Sequence, residues 1–283
     1  MSTPESSSQT EVDSTGWSAK TYNKTASFVY SPAFTAPILD LLNAQPGERI
    51  LDLGCGSGEV SIEIQKVVGS TGLVAGVDAS ESMIEKARAN GLPNAFLCDA
   101  QALEFPDGFA APTKGYDAVF TNATLHWCKR DPLGVLTGVS KVLKQGGRFV
   151  GEMGGFTNCI GVRSAIHHVL KQRGYDPEKL DPWFFPSVDE YSELLQAASF
   201  RPTHVSLTPR FTPLSTPGGL GDWIRLFVRS SFLKDFSDAE ADSIIDEVVE
   251  ACRVSCMDGN GKWAMIYTRL RFVAIWDGET AAA

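Results

Sequence analysis

The 283-residue chain has no CxxC pair, no histidines at zinc spacing and no apolar run of transmembrane length. Those absences exclude the common zinc frameworks, a redox dithiol motif and a hydropathic membrane anchor. The six cysteines, at 55, 98, 128, 159, 252 and 256, are scattered. Cys252 and Cys256 stand i,i+4 on a predicted helix without a second ligand pair, so reduced buried thiols and no metal are expected. Basic residues are in deficit: 25 Lys and Arg face 34 Asp and Glu, a net charge of −9. Such a chain has no general basic face for nucleic acid or an anionic membrane, although a local basic pocket stays compatible. The opening stretch MSTPESSSQTEVDSTG lacks both the apolar run of a signal peptide and the arginines of a mitochondrial presequence. Residues 1–16 therefore read as a disordered tail, and a cytoplasmic location is expected. No internal repeat is present. What remains, 43% hydrophobic and 21% charged, is ordinary for a soluble globular protein long enough for an α/β core with added elements.

Apolar periodicity predicts helices at 34–42, 59–68, 81–89, 132–144, 159–173, 188–198, 220–233 and 239–256. Strands are predicted at 49–53, 73–79, 95–100, 116–122, 146–153, 200–211 and 263–276. Up to Met153 strand and helix alternate over mostly short connections, the pattern of a parallel sheet with helices on both faces. Right-handed crossovers then bring all the strand C-termini to one edge, where ligands bind. The expected fold is thus Rossmann-like and doubly wound, with a mostly parallel seven-stranded sheet. The added helices are expected to form a cap over the C-terminal strand edge. The expected boundaries are a single domain over 17–283, with core at about 44–153, 187–212 and 262–276 and cap at about 154–186 and 213–261.

The stretch ILDLGCGSGEVS, residues 50–61, carries the first chemical signal. A buried strand runs into Asp52 and then into three glycines that open a helix. Missing β-carbons let backbone approach a ligand, and a helix N-terminus favours a carboxylate or phosphate. A lone GxGxG is only a tight turn. Two ligand classes suit the loop, dinucleotides and S-adenosylmethionine. Dinucleotides prefer GxGxxG and bring a pyrophosphate, which an acid just before the loop repels; the same acid suits an ammonium or a sulfonium. Asp52 and the spacing therefore favour S-adenosylmethionine. Asp78, at the second strand's end, can accept from ribose hydroxyls, although Asp at such a place is commonly a turn or cap residue beside Ser80. Asp99, at the third strand's end, can accept from an adenine amino group with Ala100 leaving room, or can form an Asx turn.

In order, ILDLGCGSG, GVDAS, LCDA and YDAVFTNATLHW resemble the motifs of class I S-adenosylmethionine-dependent methyltransferases. NATLHW paired with LKQGGRFVGEMGG, the closing DGNGKWAMIYTRLRFVA, and Trp17 with Tyr22 look more particularly like the trans-aconitate methyltransferase group. The resemblance spans roughly residues 17–275. It implies that Asp52, Gly54, Cys55, Gly56 and Gly58 hold the methionine part, and that Asp78 holds the ribose with Ala79 and Met83 beside it. It further implies that Asp99 and Ala100 flank the adenine, that Asn122 lines the sulfonium region and that Tyr22 closes over the cofactor. The group often carries Gln where this chain has His126, so no family role transfers to that position.

The methyl acceptor is expected to be a small molecule, in a protein that is a monomer or a weak dimer. A carboxylate acceptor, with a reference pKa of about 4, is already ionised and needs no base. A hydroxyl, thiol or amine of a secondary metabolite would use one, and His126 is the candidate, with a packed histidine beside Trp127 as the equal alternative. Arg225 and Arg229, i,i+4 on one helix, could clamp a carboxylate or simply face solvent. Trp127 and Trp223 are candidate substrate contacts. If Trp183 to Phe185 of DPWFFP lined the pocket, they would favour a bulkier, less polar acceptor than aconitate. A protein that binds S-adenosylmethionine only to regulate a partner is the alternative from outside enzymology.

Overall fold

The computed structural model describes residue 22, residues 30–105 and residues 115–278. The expected tail at 1–16 and Trp17 lie outside the described residues. Helices are α1 (Pro32–Leu42), α2 (Glu59–Val68), α3 (Glu81–Asn90), α4 (Pro132–Val142), α5 (Ile160–Gln172), α6 (Pro177–Leu180), α7 (Val188–Ala197), α8 (Leu220–Phe227) and α9 (Asp238–Cys256). Strands are β1 (Arg49–Leu53), β2 (Leu73–Asp78), β3 (Ala95–Leu97), β4 (Tyr116–Asn122), β5 (Leu143–Gly154), β6 (Phe200–Pro213) and β7 (Ala264–Trp276).

The described strands form one sheet in the order β3-β2-β1-β4-β5-β7-β6. The first five run parallel, and β7 inserts antiparallel between β5 and β6. Side chains alternate across β1: Ile50 packs with Ile38, Ile64 and Ile84 on one face, and Leu51 with Val135, Leu195 and Phe272 on the other. The doubly wound, mostly parallel reading therefore holds. A separate apolar cluster joins α5, α8 and α9 through Ile166, Ile224 and Ile245, and it includes Trp183 and Trp223. Rings of this cluster share a cavity wall with Asn122 at the end of β4, so these helices lie over the C-terminal edge of the sheet.

Three predicted boundaries move furthest. The helix expected over 220–233 stops at Phe227, where the Ser231 hydroxyl takes the Phe227 carbonyl and Arg229 binds the carbonyls of Leu233 and Phe236. The third strand ends at Leu97, because Asp99 accepts from the Gln101 N–H and starts a 3-10 turn. Leu143, expected in a helix, opens β5 instead. Elsewhere the caps act as the residue types predict: Ser80 accepts from the Met83 N–H at 3.3 Å, and Ser187 with Glu190 closes a reciprocal capping box.

Candidate active site

Two adjoining cavities lie at the C-terminal edge. The larger, about 1050 Å³ including space open to solvent, runs along the ends of β1, β2, β3 and β4. It brings together Tyr22, Asp52, Gly54, Cys55, Gly56, Asp78, Ala79, Met83, Asp99, Ala100 and Asn122. Gly58 does not line it. That glycine caps α2 at φ +86°, and a β-carbon there would meet Ala87 Cβ at 3.2 Å, so its requirement is conformational and steric.

The loop's shape follows from its glycines. Gly54 has φ +81°, and an added β-carbon would stand 2.1 Å from Thr124 Oγ1. Gly56 has φ +53°, and its β-carbon would sit 3.1 Å from the Tyr30 hydroxyl. Backbone is therefore the floor of the cleft, where a ligand can lie against it.

The acids are held in distinct ways. Asp52 is buried and accepts from the Ser61 hydroxyl at 2.5 Å. Burial pushes its carboxyl up to about 7 against the pull of that hydrogen bond, and Asp78 adds repulsion. Asp78 accepts from the Gly56 N–H and the Ser80 N–H, each at 2.9 Å, which orients its carboxylate. Asp99 accepts from the Gln101 N–H at 2.9 Å and pairs with Arg130. Burial alone would raise Asp99, but Arg130 and Gln101 outweigh it and hold the group below the usual carboxylate range.

The second cavity, about 580 Å³ including space open to solvent, shares Tyr22, Asn122, Ala123 and Trp127 with the first. Trp183, Phe185, Trp223 and Phe227 add aromatic walls, and Glu152, Arg210 and Arg269 add charge. Trp223 is fixed by its indole N–H, which donates to the Tyr267 hydroxyl at 2.5 Å. Ala123, between the two cavities, has φ +59°, an uncommon backbone state for a residue with a β-carbon.

His126 is buried in the wall of this second cavity, but its geometry argues against a base. Its Nδ1 accepts the Gly154 N–H at 3.3 Å, which assigns the ring proton to Nε2. Burial, with Arg269 adding to it, pushes its pKa well below the usual histidine value, so the ring is neutral. Arg225 and Arg229, expected as a carboxylate clamp or a solvent face, are placed against acids of α9. Arg225 faces Asp242 and Asp246 on α9 at 3.6 Å each, and Arg229 pairs with Asp238 at 2.6 Å. Neither lines either cavity, because α9 offers a run of acids to that face of the chain.

The reading from sequence missed Tyr30, Cys98, Gln101 and Cys128 in the first cavity, and Phe34, Glu152, Arg210, Tyr267 and Arg269 in the second. A signal was present. Glu152 interrupts the apolar run at 149–153 and Arg269 stands between Thr268 and Leu270 in a strand rich in apolar residues, and buried charges need partners.

The first cavity fits S-adenosylmethionine. It has a bare-backbone floor and an acid at or next to the end of each of two neighbouring strands, a surface that suits a ligand carrying both an ammonium and ribose hydroxyls. Residues 44–181 match the family described as "Methyltransferase domain". An uncharacterized methyltransferase of Schizosaccharomyces pombe is 38% identical over 264 residues, covering 91% of this chain and 97% of its own. A demethylmenaquinone methyltransferase of Bacillus cytotoxicus is 29% identical over 196 residues, 67% of this chain and 78% of its own. Among solved structures, a candidate methyltransferase of Bacillus halodurans aligns with a TM-score of 0.58 at 15% identity, covering 87% of this chain and 99% of its own, which speaks to fold alone. With the Schizosaccharomyces pombe methyltransferase 38% identical over 97% of its length, and residues 44–181 matching the methyltransferase domain, the chain belongs to the class I S-adenosylmethionine-dependent methyltransferases.

Proposed function

We propose that the enzyme methylates a small organic acid bound in the second cavity, giving a methyl ester. The observation that carries this reading is the shared wall: Tyr22, Asn122, Ala123 and Trp127 border both the cofactor cleft and a pocket that holds cations. When bound, S-adenosylmethionine supplies an electrophilic methyl group on a sulfonium. In this proposal the glycine loop, with Asp52, holds the methionine part. Asp78 accepts from the ribose, with Ala79 and Met83 beside it, and Asp99 and Ala100 border the adenine. Asn122 faces the sulfonium region, and Tyr22, whose phenol burial pushes up to about 12, closes over as a neutral group.

The chain's contribution to the chemistry is alignment and exclusion of water. A carboxylate oxygen forms the new C–O bond as the C–S bond breaks, and no proton has to move. That suits a pocket whose two proton-accepting candidates are engaged. His126 has its Nδ1 occupied, and Glu152 is held by Arg269 and Arg271. His126 is then a donor through Nε2–H.

In the same proposal the core spans about 44–153, 187–212 and 262–276, and the cap about 154–186 and 213–261. The motifs of the fourth and fifth strands support a trans-aconitate-like assignment. Trp183 and Phe185 in the wall favour an acid less polar than aconitate. A flat metabolite methylated on another atom is the second reading, favoured by the demethylmenaquinone methyltransferase among the relatives.

A screen with methyl-labelled S-adenosylmethionine over carboxylic acids, phenols, thiols and amines tests the proposal. The expected product is base-labile and identified by mass spectrometry as a methyl ester. Label found only on phenol, sulfur, nitrogen or ring carbon would overturn it.

A further inference from the structure

Strand register gathers a charged group on one sheet face. Asn122, Glu152, Arg271 and Ser206 form a row across β4, β5, β7 and β6. The next row on that face holds Gly154, Arg269 and Thr208, and the one after it pairs Tyr267 with Arg210. Arg269 and Arg271 donate to the two oxygens of Glu152 at 2.9 and 2.5 Å. Burial would raise Glu152, but these guanidinium groups outweigh it and keep it ionised.

Arg210 is placed differently. Its Nη1 stands 3.6 Å from Glu152 Oε1, too far for a hydrogen bond. Its buried Nε has no hydrogen-bond partner among the described residues. The guanidinium lies over Phe34 at 4.1 Å and Tyr267 at 5.4 Å from the ring centroids, which fixes its plane. Burial, reinforced by Arg269, lowers its pKa to about 10, so it is charged at neutral pH. A guanidinium carries five donors, and leaving a buried donor unpaired is costly. Among the described residues, the charged groups lining the pocket are Arg210, Arg269 and Glu152, two positive charges facing one negative. The remaining wall is largely aromatic. A single carboxylate would satisfy Arg210, whereas second and third carboxylates would lose much of their water against a wall made largely of aromatic rings.

We propose that Arg210 holds the carboxylate of the acceptor, and that the acceptor is a monocarboxylic acid with a flat apolar body. This rests on the methyl-transfer reading of the adjoining cleft. Methylation cancels the charge that Arg210 holds, so the site favours substrate over ester.

The test uses the whole protein saturated with S-adenosylhomocysteine, with binding followed by calorimetry and by the fluorescence of Trp127, Trp183 and Trp223. The probes are trans-cinnamate, cinnamamide and tricarballylate. Cinnamate is expected to bind at least about tenfold tighter than either of the others. Arg210→Gln should weaken cinnamate at least about tenfold, leave cinnamamide within about twofold, and leave S-adenosylhomocysteine unchanged. Arg210→Lys keeps the charge without the fork and should fall between. If Arg210→Gln does not fold, Arg210→Lys decides through a fall of at least about threefold in the cinnamate-to-cinnamamide ratio. The proposal is overturned by equal binding of cinnamate and cinnamamide, by tighter tricarballylate, by no binding of any probe, or by variants that bind cinnamate as the parent does. Failure of the parent protein to bind S-adenosylhomocysteine would instead overturn the reading of the cleft beneath it.

Discussion

The backbone N–H of Gly56 donates to Asp78 Oδ2 at 2.9 Å, fastening the glycine loop after β1 to the end of β2. Asp78→Ala removes this tie together with the proposed ribose acceptor. Affinity for S-adenosylhomocysteine should fall by about 1–3 kcal/mol in calorimetry. An unchanged affinity would mean that the ribose lies elsewhere.

Gly54→Ala and Gly58→Ala should part company. Both positions have positive φ, so both variants should lose about 1–3 kcal/mol in chemical denaturation. Gly54 also approaches Thr124 beneath the cleft, and its variant should lose cofactor affinity. Gly58 packs on Ala87 and Leu92 outside the cleft, and folded Gly58→Ala should bind S-adenosylhomocysteine as the parent does.

Asp52 predicts a pH dependence. Its folded pKa, about 7, lies above the unfolded value, so the folded state binds its proton more tightly. The resulting stability is fully present below about pH 4 and is lost as pH rises through about 7. A ligand ammonium prefers the ionised form, so affinity for S-adenosylhomocysteine should run the other way. It should be up to about tenfold weaker at pH 6 than at pH 8. Asp52→Asn should flatten both trends, measured by thermal melts and calorimetry across pH.

Glu152→Ala should be among the more damaging substitutions. It strands Arg269, which is 3% exposed, together with Arg271. Removing one partner of such a buried group costs about 3–5 kcal/mol. Denaturant midpoints should fall accordingly, and Glu152→Gln, which keeps an acceptor oxygen, should fall less.

Arg225→Ala with Arg229→Ala should leave acceptor kinetics unchanged, because neither side chain lines a cavity. The stability effect should come mainly from Arg229, whose bonds to the Leu233 and Phe236 carbonyls shape the turn after α8, at about 1 kcal/mol. A changed KM for an acid acceptor would restore the clamp.

The first cavity, proposed to seat the cofactor, was legible in the sequence because its residues follow local rules. Each of Asp52, Asp78 and Asp99 stands at or just beyond the end of its own strand, a place set by hydrophobic period and turn chemistry over a few residues. The second cavity was not. Arg210, Arg269 and Glu152 meet only because β7 inserts between β5 and β6, a register fixed by pairings more than 100 residues apart for β5 and about 60 apart for β6. Helical spacing put Arg225 and Arg229 on adjoining turns, but it cannot say which way the pair points. The acids of α9 decide that.

The position of β7 also sets an order of events on the ribosome. Apart from Tyr22 and Tyr30, which enter earlier still, the walls of the cofactor cleft come from residues 52–128. The neighbouring pocket needs Tyr267 and Arg269, from the last of the described strands in chain order. Until that strand emerges, β5 and β6 lack the partner that separates them. Closing such distant contacts is slow relative to local helix and turn formation. A nascent chain can therefore form the first cavity while the second is still open. On the proposed assignment of the two, competence to bind the donor precedes competence to choose the recipient.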